Sequence, residues 1–181
     1  MPPNADDPII VRIATTADAA LLAHLGATTF GDTFSAENTP ADMAMYLAEA
    51  FGDRVQFAEL ADPRHLVLFA ERAGEPIGYA VLRAGVAREG VRGFNPIEIA
   101  RLYAVQRYIG AGIGATLMQQ CLQESATRGH DTIWLGVWEH NARAIAFYRR
   151  WGFADVGSQT FMLGRDRQTD RVMMRRVAQE A

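Results

Sequence analysis

The sequence predicts one domain of mixed α and β structure, and three observations carry that prediction. An apolar run over 97–105 leads into the glycine-rich stretch RYIGAGIGA (residues 107–115), which opens an amphipathic run to about Arg128. That order is strand, tight turn, helix. Two helix-start signals, Thr15-x-x-Asp18 and Thr39-Pro40-x-Asp42, come earlier in the chain, each with an acid in the first turn. Between two apolar runs, Gly74-Glu75-Pro76 reads as a hairpin turn. At 181 residues the chain suits a single unit with a substantial core, here 9–177.

The elements follow in order. Residues 9–13 read as a first strand, and the Thr15 signal opens a helix towards Phe30. The Thr39 signal opens a second helix, with Met43, Leu47 and Ala50 or Phe51 along one face. A short helix over 54–60 is stopped by Asp62-Pro63. Strands over 65–73 and 77–84 flank the hairpin turn, and 85–96 is a glycine-rich loop. Then come strand 97–105, helix 112–128, strand 132–138, helix 141–151 and closing strands over 153–163 and 171–177. Ile113, Leu117, Met118, Cys121 and Leu122 give the helix after the glycine turn its buried stripe. There is no repeat, low-complexity tract or linker.

Composition excludes several classes. No apolar run reaches membrane-spanning length. Pro2, Pro3, Asp6 and Asp7 stand where a signal peptide needs basic and then apolar residues. The single cysteine, Cys121, cannot form an internal disulfide and reads as a small core hydrophobe. A cytoplasmic, soluble protein is expected. The four histidines lack ligand spacing, so no metal is expected. The charge is uneven: residues 1–62 balance to −8 and the rest to +5. That split suits an anionic cofactor meeting a cationic acceptor, although ordinary solvated helix faces would also produce it. No basic helix in a nucleic-acid motif is present, so no nucleic acid is expected.

Gly110, Gly112 and Gly114 remove Cβ atoms at the start of a helix, where free N–H groups and the helix dipole favour an anion such as a pyrophosphate. A P-loop is excluded because the chain has no lysine. Gly110-x-Gly112-x-x-Ala115 fits a loose dinucleotide fingerprint, with Glu139 as a ribose acid. That fingerprint belongs near the start of a repeated layout, whereas about a hundred residues precede it here.

Arg107-x-x-Gly110-x-Gly112 after a strand resembles the acetyl-coenzyme A loop of the GCN5-related N-acetyltransferase (GNAT) superfamily. WLGVWEHNARAIAFYRRWGF (134–153) resembles its second landmark, a strand followed by a helix with Asn, Ala, Phe-Tyr and a terminal Gly-Phe. Residues 28–51, with WLGVWEHN and QTDRVMMRRV (168–177), resemble the PaiA-like spermidine/spermine N-acetyltransferase branch. The resemblance implies an α/β acetyltransferase fold over 1–181, with a splayed, mostly antiparallel sheet of about seven strands flanked by helices. It also implies acetyl transfer from acetyl-CoA directly to a primary amine, a polyamine foremost. A protein N-terminus, another small amine and a non-catalytic CoA-sensing role remain alternatives. The expected partner is a small cationic amine, with no membrane, and a homodimer is left open.

Acetyl transfer requires a held cofactor, a deprotonated amine and a stabilised leaving thiolate. By the resemblance, Leu102, Ala104, Arg107, Ile109, Gly110, Gly112, Ile113, Gly114, Asn141 and Tyr148 contact the cofactor. Two positions depart from the pattern: Ile109 is often basic and Ala104 often branched. Tyr148 is the candidate acid, protonated at neutral pH, and reads otherwise as a core ring beside Ile145 and Trp151. Asn141 reads equally as a helix N-cap. Glu98 is the candidate base, and reads equally as a strand-edge surface acid. Ala100 stands at another position where a carboxylate can occur in the superfamily. Asp32, Glu37 and Glu139 are candidates for holding the acceptor.

Overall fold

The structure is a computed structural model that describes residues 7–86 and 88–177. Seven strands form one sheet: β1 (Ile9–Ile13), β2 (His65–Arg72), β3 (Glu75–Ala84), β4 (Pro96–Ala104), β5 (Thr132–Trp138), β6 (Ala154–Leu163) and β7 (Asp166–Arg176). Their order is β1-β2-β3-β4-β5-β7-β6, and only β4 and β5 run parallel. Five helices flank the sheet: α1 (Ala19–Phe34), α2 (Pro40–Ala50), α3 (Asp53–Ala61), α4 (Ile113–Thr127) and α5 (Ala142–Arg150). This is the α/β acetyltransferase architecture that the motifs imply.

Alternation along the strands divides the core. One face, with Leu68, Leu82, Ile97, Ile99, Leu135 and Met173, packs against Leu117, Met118, Cys121, Ile145 and Tyr148 of α4 and α5. The opposite face, with Val67, Phe69, Tyr79 and Val81, packs against Leu22 and Leu25 of α1. An aromatic extension of that side gathers Phe30, Phe34, Tyr46, Phe51, Tyr103 and Phe161.

The cap signals work with local differences. At Thr15 the chain first makes a 3-10 turn, Thr16–Asp18, and the Thr15 amide donates to the Asp18 carboxylate at 2.8 Å. Asp18 also accepts from Arg12 of β1 at 2.8 and 2.9 Å, which spans the strand-to-helix junction. Thr39 caps α2 by accepting from the Asp42 amide at 3.2 Å, with Pro40 in the first turn. Helix α1 runs on to Phe34, past the expected end, through Gly26 and Gly31. Gly26 allows the close packing there, since a Cβ would lie 2.5 Å from the Phe51 ring. Strand β7 starts at Asp166, five residues before the expected Arg171, because Gly164 and Arg165 close a two-residue hairpin that pairs Leu163 with Asp166.

Two irregularities in β4 build the site. Val81 faces Arg101 while Leu82 faces Ile99, so Ala100 is the extra residue of a β-bulge. Without it, Arg101 and Tyr103 would share the α4 face with Ile99; with it they turn towards α1–α3. Pairing with β5 then stops, because the ladder covers only Pro96–Ile99 against Thr132–Leu135. Beyond it the strands splay, and β4 keeps a partner only on the β3 side.

Candidate active site

Where β4 and β5 part, a cleft of about 370 Å³ opens. One wall is the end of α1 and the turn after it: Asp32, Thr33, Phe34 and Glu37. The other comprises Ala104, Gln106 and Ile109 after β4, Trp138 and His140 after β5, and Asn141, Ala142 and Arg143 at the start of α5. Five residues singled out in the sequence therefore meet here: Asp32, Glu37, Ala104, Ile109 and Asn141.

The glycine turn lies beside this cleft and is narrower as a donor set than its sequence suggests. The Ile109 amide donates to the Gln106 carbonyl and the Ala111 amide to Tyr108, both at 3.1 Å. Among the described residues this leaves the amides of Gly110, Gly112, Ile113, Gly114 and Ala115 at the start of α4 without a backbone partner. Gly110 and Gly112 have φ of 91° and 85°, and nothing lies within 4 Å of a Cβ built on either. Left-handed backbone explains both glycines, and the open space explains how a ligand reaches the amides. Gly114 is different. It lies inside α4, where a Cβ would make ordinary contact with Phe147 at 3.6 Å.

Ile113 is fully buried and anchors α4. Leu102 and Ala104 point to the α4 face, on the segment of β4 that has no β5 partner. Arg107 does not join the cleft. Its guanidinium pairs with Glu75 of β3 and lies 4.9 Å from the centre of the Tyr108 ring. Asn141 caps α5 by accepting from the Ala144 amide at 3.1 Å, and it also lines the cleft, so its two readings coexist.

Tyr148 lies two turns along α5, 9% exposed, against Phe147 and Phe153, and is absent from the cleft lining. Burial raises its pKa well above the ordinary phenol value, with Cys121 adding to the shift. It is also close enough to Tyr103, across the gap from β4, to oppose ionisation there. Cys121 itself is buried, its thiol pushed up to about 12.

Glu98 sits at the closed end. It pairs in register with Arg83 of β3 and Trp134 of β5, six residues before Ala104, roughly 20 Å along the strand. It is a largely buried acid with a raised pKa, because burial outweighs the pull of Arg83, Arg88 and Arg101. Close by, Glu59 of α3 accepts from Arg83 and Arg101, and Gln56 accepts from Arg101 at 3.2 Å. This network fastens α3 to β3 and β4. Glu139 is exposed beyond β5, and its amide donates to the Thr169 carbonyl at 3.1 Å.

Asp170 stands outside the residues that the sequence singles out. It is directly opposite Trp138 of β5 and Gln159 of β6, and only 8% exposed. The Gln159 amide nitrogen donates to it at 3.4 Å. Burial and the nearby Glu139 charge hold its carboxyl up at about 6. The Leu163-Gly164-Arg165-Asp166 hairpin was the available signal, because counting back along its register sets Asp170 against Gln159.

Residues 29–153 match the model of the Acetyltransferase (GNAT) family. An uncharacterised N-acetyltransferase of Mycobacterium tuberculosis is 36% identical over 159 residues, 87% of this chain and 97% of the relative. Among solved structures, the PaiA N-acetyltransferase of Thermoplasma acidophilum in complex with coenzyme A superposes with a TM-score of 0.75 at 18% identity, over 93% of this chain and 99% of that one. The ribosomal-protein-alanine N-acetyltransferase of Brucella melitensis does so with a TM-score of 0.65 at 28% identity, over 92% and 99%. Fold and relatives together define an acetyl-transferring enzyme. The chain belongs to the GNAT family of acetyltransferases.

Proposed function

We propose that this enzyme acetylates a primary amine of a small polycation, a polyamine such as spermidine or spermine, with acetyl-CoA as donor. The observation that carries the reading is that exposed acids on the α1 wall of the cleft, Asp32 and Glu37, face a wall with the free amides of the glycine turn beside it. Those acids complement an ammonium, and the amides complement a pyrophosphate. Arg143 and His140 share the second wall and suit the anionic partner. Glu139 adds a third exposed acid near the acceptor end.

The donor fits the chain's own features. Gly110 and Gly112 leave open space in front of the helix amides. The unpaired edge of β4 at Leu102–Ala104 offers backbone groups to an extended pantetheine arm, and the Asn141 amide faces the same gap. When bound, acetyl-CoA supplies the acetyl thioester. Tyr148 keeps its proton at neutral pH and donates it as negative charge develops on sulfur.

The test is an acceptor panel read by free-thiol release. Spermidine and spermine should outrank neutral amines and alanine-terminated peptides in kcat/KM. Preference for the peptides would move the acceptor to a protein N-terminus, the activity named for the Brucella neighbour.

A further inference from the structure

Beside the cleft, the sheet holds two acceptor oxygens that the fold leaves without a cation. Asp170 is nine-tenths buried, and among the described residues no arginine or histidine stands within ion-pair distance of it. Its hydrogen bond from Gln159, at 3.4 Å, is long. The Gln159 side-chain oxygen is itself buried with no partner. Both side chains lean across Gly136 of β5, where a Cβ would press on the Gln159 amide and come within 3.1 Å of the Asp170 carboxylate. A buried carboxylate with one long hydrogen bond, beside an amide oxygen with none, suits a group that brings several N–H bonds and a positive charge.

Their position ties them to the open end of the cleft. Asp170 and cleft-lining Trp138 are cross-strand partners, so their Cβ atoms are about 5 Å apart on one face. The two residues before Asp170 on β7 are bound to segments that frame the cleft. The Gln168 amide donates to Asn38 at 2.6 Å, next to Glu37, and Thr169 accepts from Glu139. Aromatic rings line the surroundings. Phe34 meets Trp138 edge-on at 6.2 Å, and Tyr46 meets Phe161 at 5.4 Å. Such rings favour a cation near their faces.

We infer that Asp170, with the Gln159 carboxamide oxygen beside it, receives the acceptor's ammonium and is the base that takes its proton. The inference deepens the proposed acetylation of a cationic amine and rests on it. The ammonium nitrogen gives one proton to the Asp170 carboxylate, which passes it to solvent. The freed lone pair forms the C–N bond to the acetyl carbon while the C–S bond breaks, its electrons remaining on sulfur. The nitrogen gives its second proton to solvent, sulfur takes one from Tyr148, and solvent reprotonates Tyr148. One proton is released per acetyl transferred.

The groups facing Asp170 determine the expected pH behaviour. They are Gln159 on β6, Glu139 beyond β5, and Tyr46 on α2, whose own ionisation Asp170 opposes. Arg101 and Arg83 favour the ionised form of Tyr46. With burial and Glu139 pushing up, the carboxyl titrates at about 6, far better placed to accept a proton than an ordinary carboxylate.

The experiment compares wild type, Asp170→Asn and Asp170→Glu with spermidine and acetyl-CoA across pH 5–9. In wild type, log kcat/KM should rise with a slope of two below about pH 6, where Asp170 and the amine are both protonated and each must lose a proton, and with a slope of one above, where only the amine is. Asp170→Asn should show a slope of one throughout and a loss of about 10²–10⁴-fold at pH 7.5, with Asp170→Glu partly restored. Acetyl-CoA affinity by calorimetry should be unchanged in both. Melting temperature should rise in Asp170→Asn above pH 6, since the variant no longer holds an unpaired buried charge. An active wild type with an unchanged profile in Asp170→Asn overturns the base alone. A wild type inactive on every amine of the panel overturns the base and the proposed function together.

Discussion

From Ile97 to Ile99, β4 is bonded to β3 on one side and β5 on the other, and Ile97 and Ile99 are almost completely buried. From Arg101 to Ala104 it keeps only β3, and its side chains are half-buried around a cleft. One residue, Ala100 of the bulge, separates these two regimes. Beside the closed half, α3 sets Glu59 against Arg83 and Arg101, and Gln56 against Ala50 and Arg101. At the open half, the first α4 amides lack a backbone partner among the described residues, the Gln159 oxygen lacks any, and the Asp170 carboxylate has one long hydrogen bond from Gln159. Buried polar atoms without partners occur in both halves, Trp134 Nε1 in the closed one; the open half differs in that its free amides and the Asp170 carboxylate adjoin a cleft.

Tyr148→Phe breaks the comparison most sharply. Tyr148 lies on the packed side of α5 yet is assigned to the chemistry of the open end, so the two halves predict opposite outcomes for it. As the proton donor, its loss should lower kcat by about 10²–10⁴-fold. Acetyl-CoA affinity should change little, because the hydroxyl acts as charge develops in the transition state. As core packing alone, the variant should turn over normally and melt slightly lower. Turnover, cofactor affinity and melting temperature on one preparation decide between them.

Glu59→Ala tests the closed half. The carboxylate is 6% exposed and satisfies two arginines, one of which is itself mostly buried. Removing it leaves Arg101 with Gln56 and the face of the Phe51 ring. Breaking a buried pair in this way costs about 3–5 kcal/mol, read as a lower midpoint in urea with the m-value unchanged. The fraction that remains folded should keep its KM for acetyl-CoA. A weakened cofactor site would show that the two halves are coupled.

How far the sequence revealed each half follows from the same contrast. The strands and helices around the closed half were legible because apolar alternation and a 3.6-residue stripe fix which face is buried, as at Ile97, Ile99, Leu117 and Cys121. The glycine turn was legible because Gly110 and Gly112 require left-handed backbone. The bulge at Ala100 was not, since no residue type there demands an extra residue in the ladder. Nor was the confinement of Arg107 by Glu75, a pairing between residues 32 apart. Asp170 escaped because a lone Asp in a polar stretch becomes distinctive only once the β6–β7 register sets it behind Trp138.

Gly112→Val sharpens the account of the open half by separating two reasons for one glycine. At φ of 85° any side chain is strained, and the space before the turn is otherwise empty. Acetyl-CoA affinity should fall at least tenfold, with a modest drop in melting temperature. Gly114→Ala serves as the comparison, since its Cβ would only touch Phe147 and helix propensity improves. It should melt no lower than wild type. Unchanged affinity in a folded Gly112→Val protein would remove the pyrophosphate from this turn.

The smallest effect concerns the rim of the cleft. Asp32 and Glu37 are both exposed, so each contributes to acceptor binding through a largely hydrated field. Raising salt from about 0.05 to 0.5 M shortens the screening length from roughly 14 to 4 Å, and the KM for spermidine should rise severalfold. Asp32→Asn with Glu37→Gln should raise KM at low salt and flatten that dependence, leaving kcat nearly unchanged because neither acid is assigned to proton transfer. Asp170 lies buried beyond this screening, so the salt-insensitive part of acceptor affinity should remain in the double variant and disappear only with Asp170→Asn. A KM independent of salt in wild type would mean that the rim acids do not recognise the acceptor and that the buried oxygens carry recognition alone.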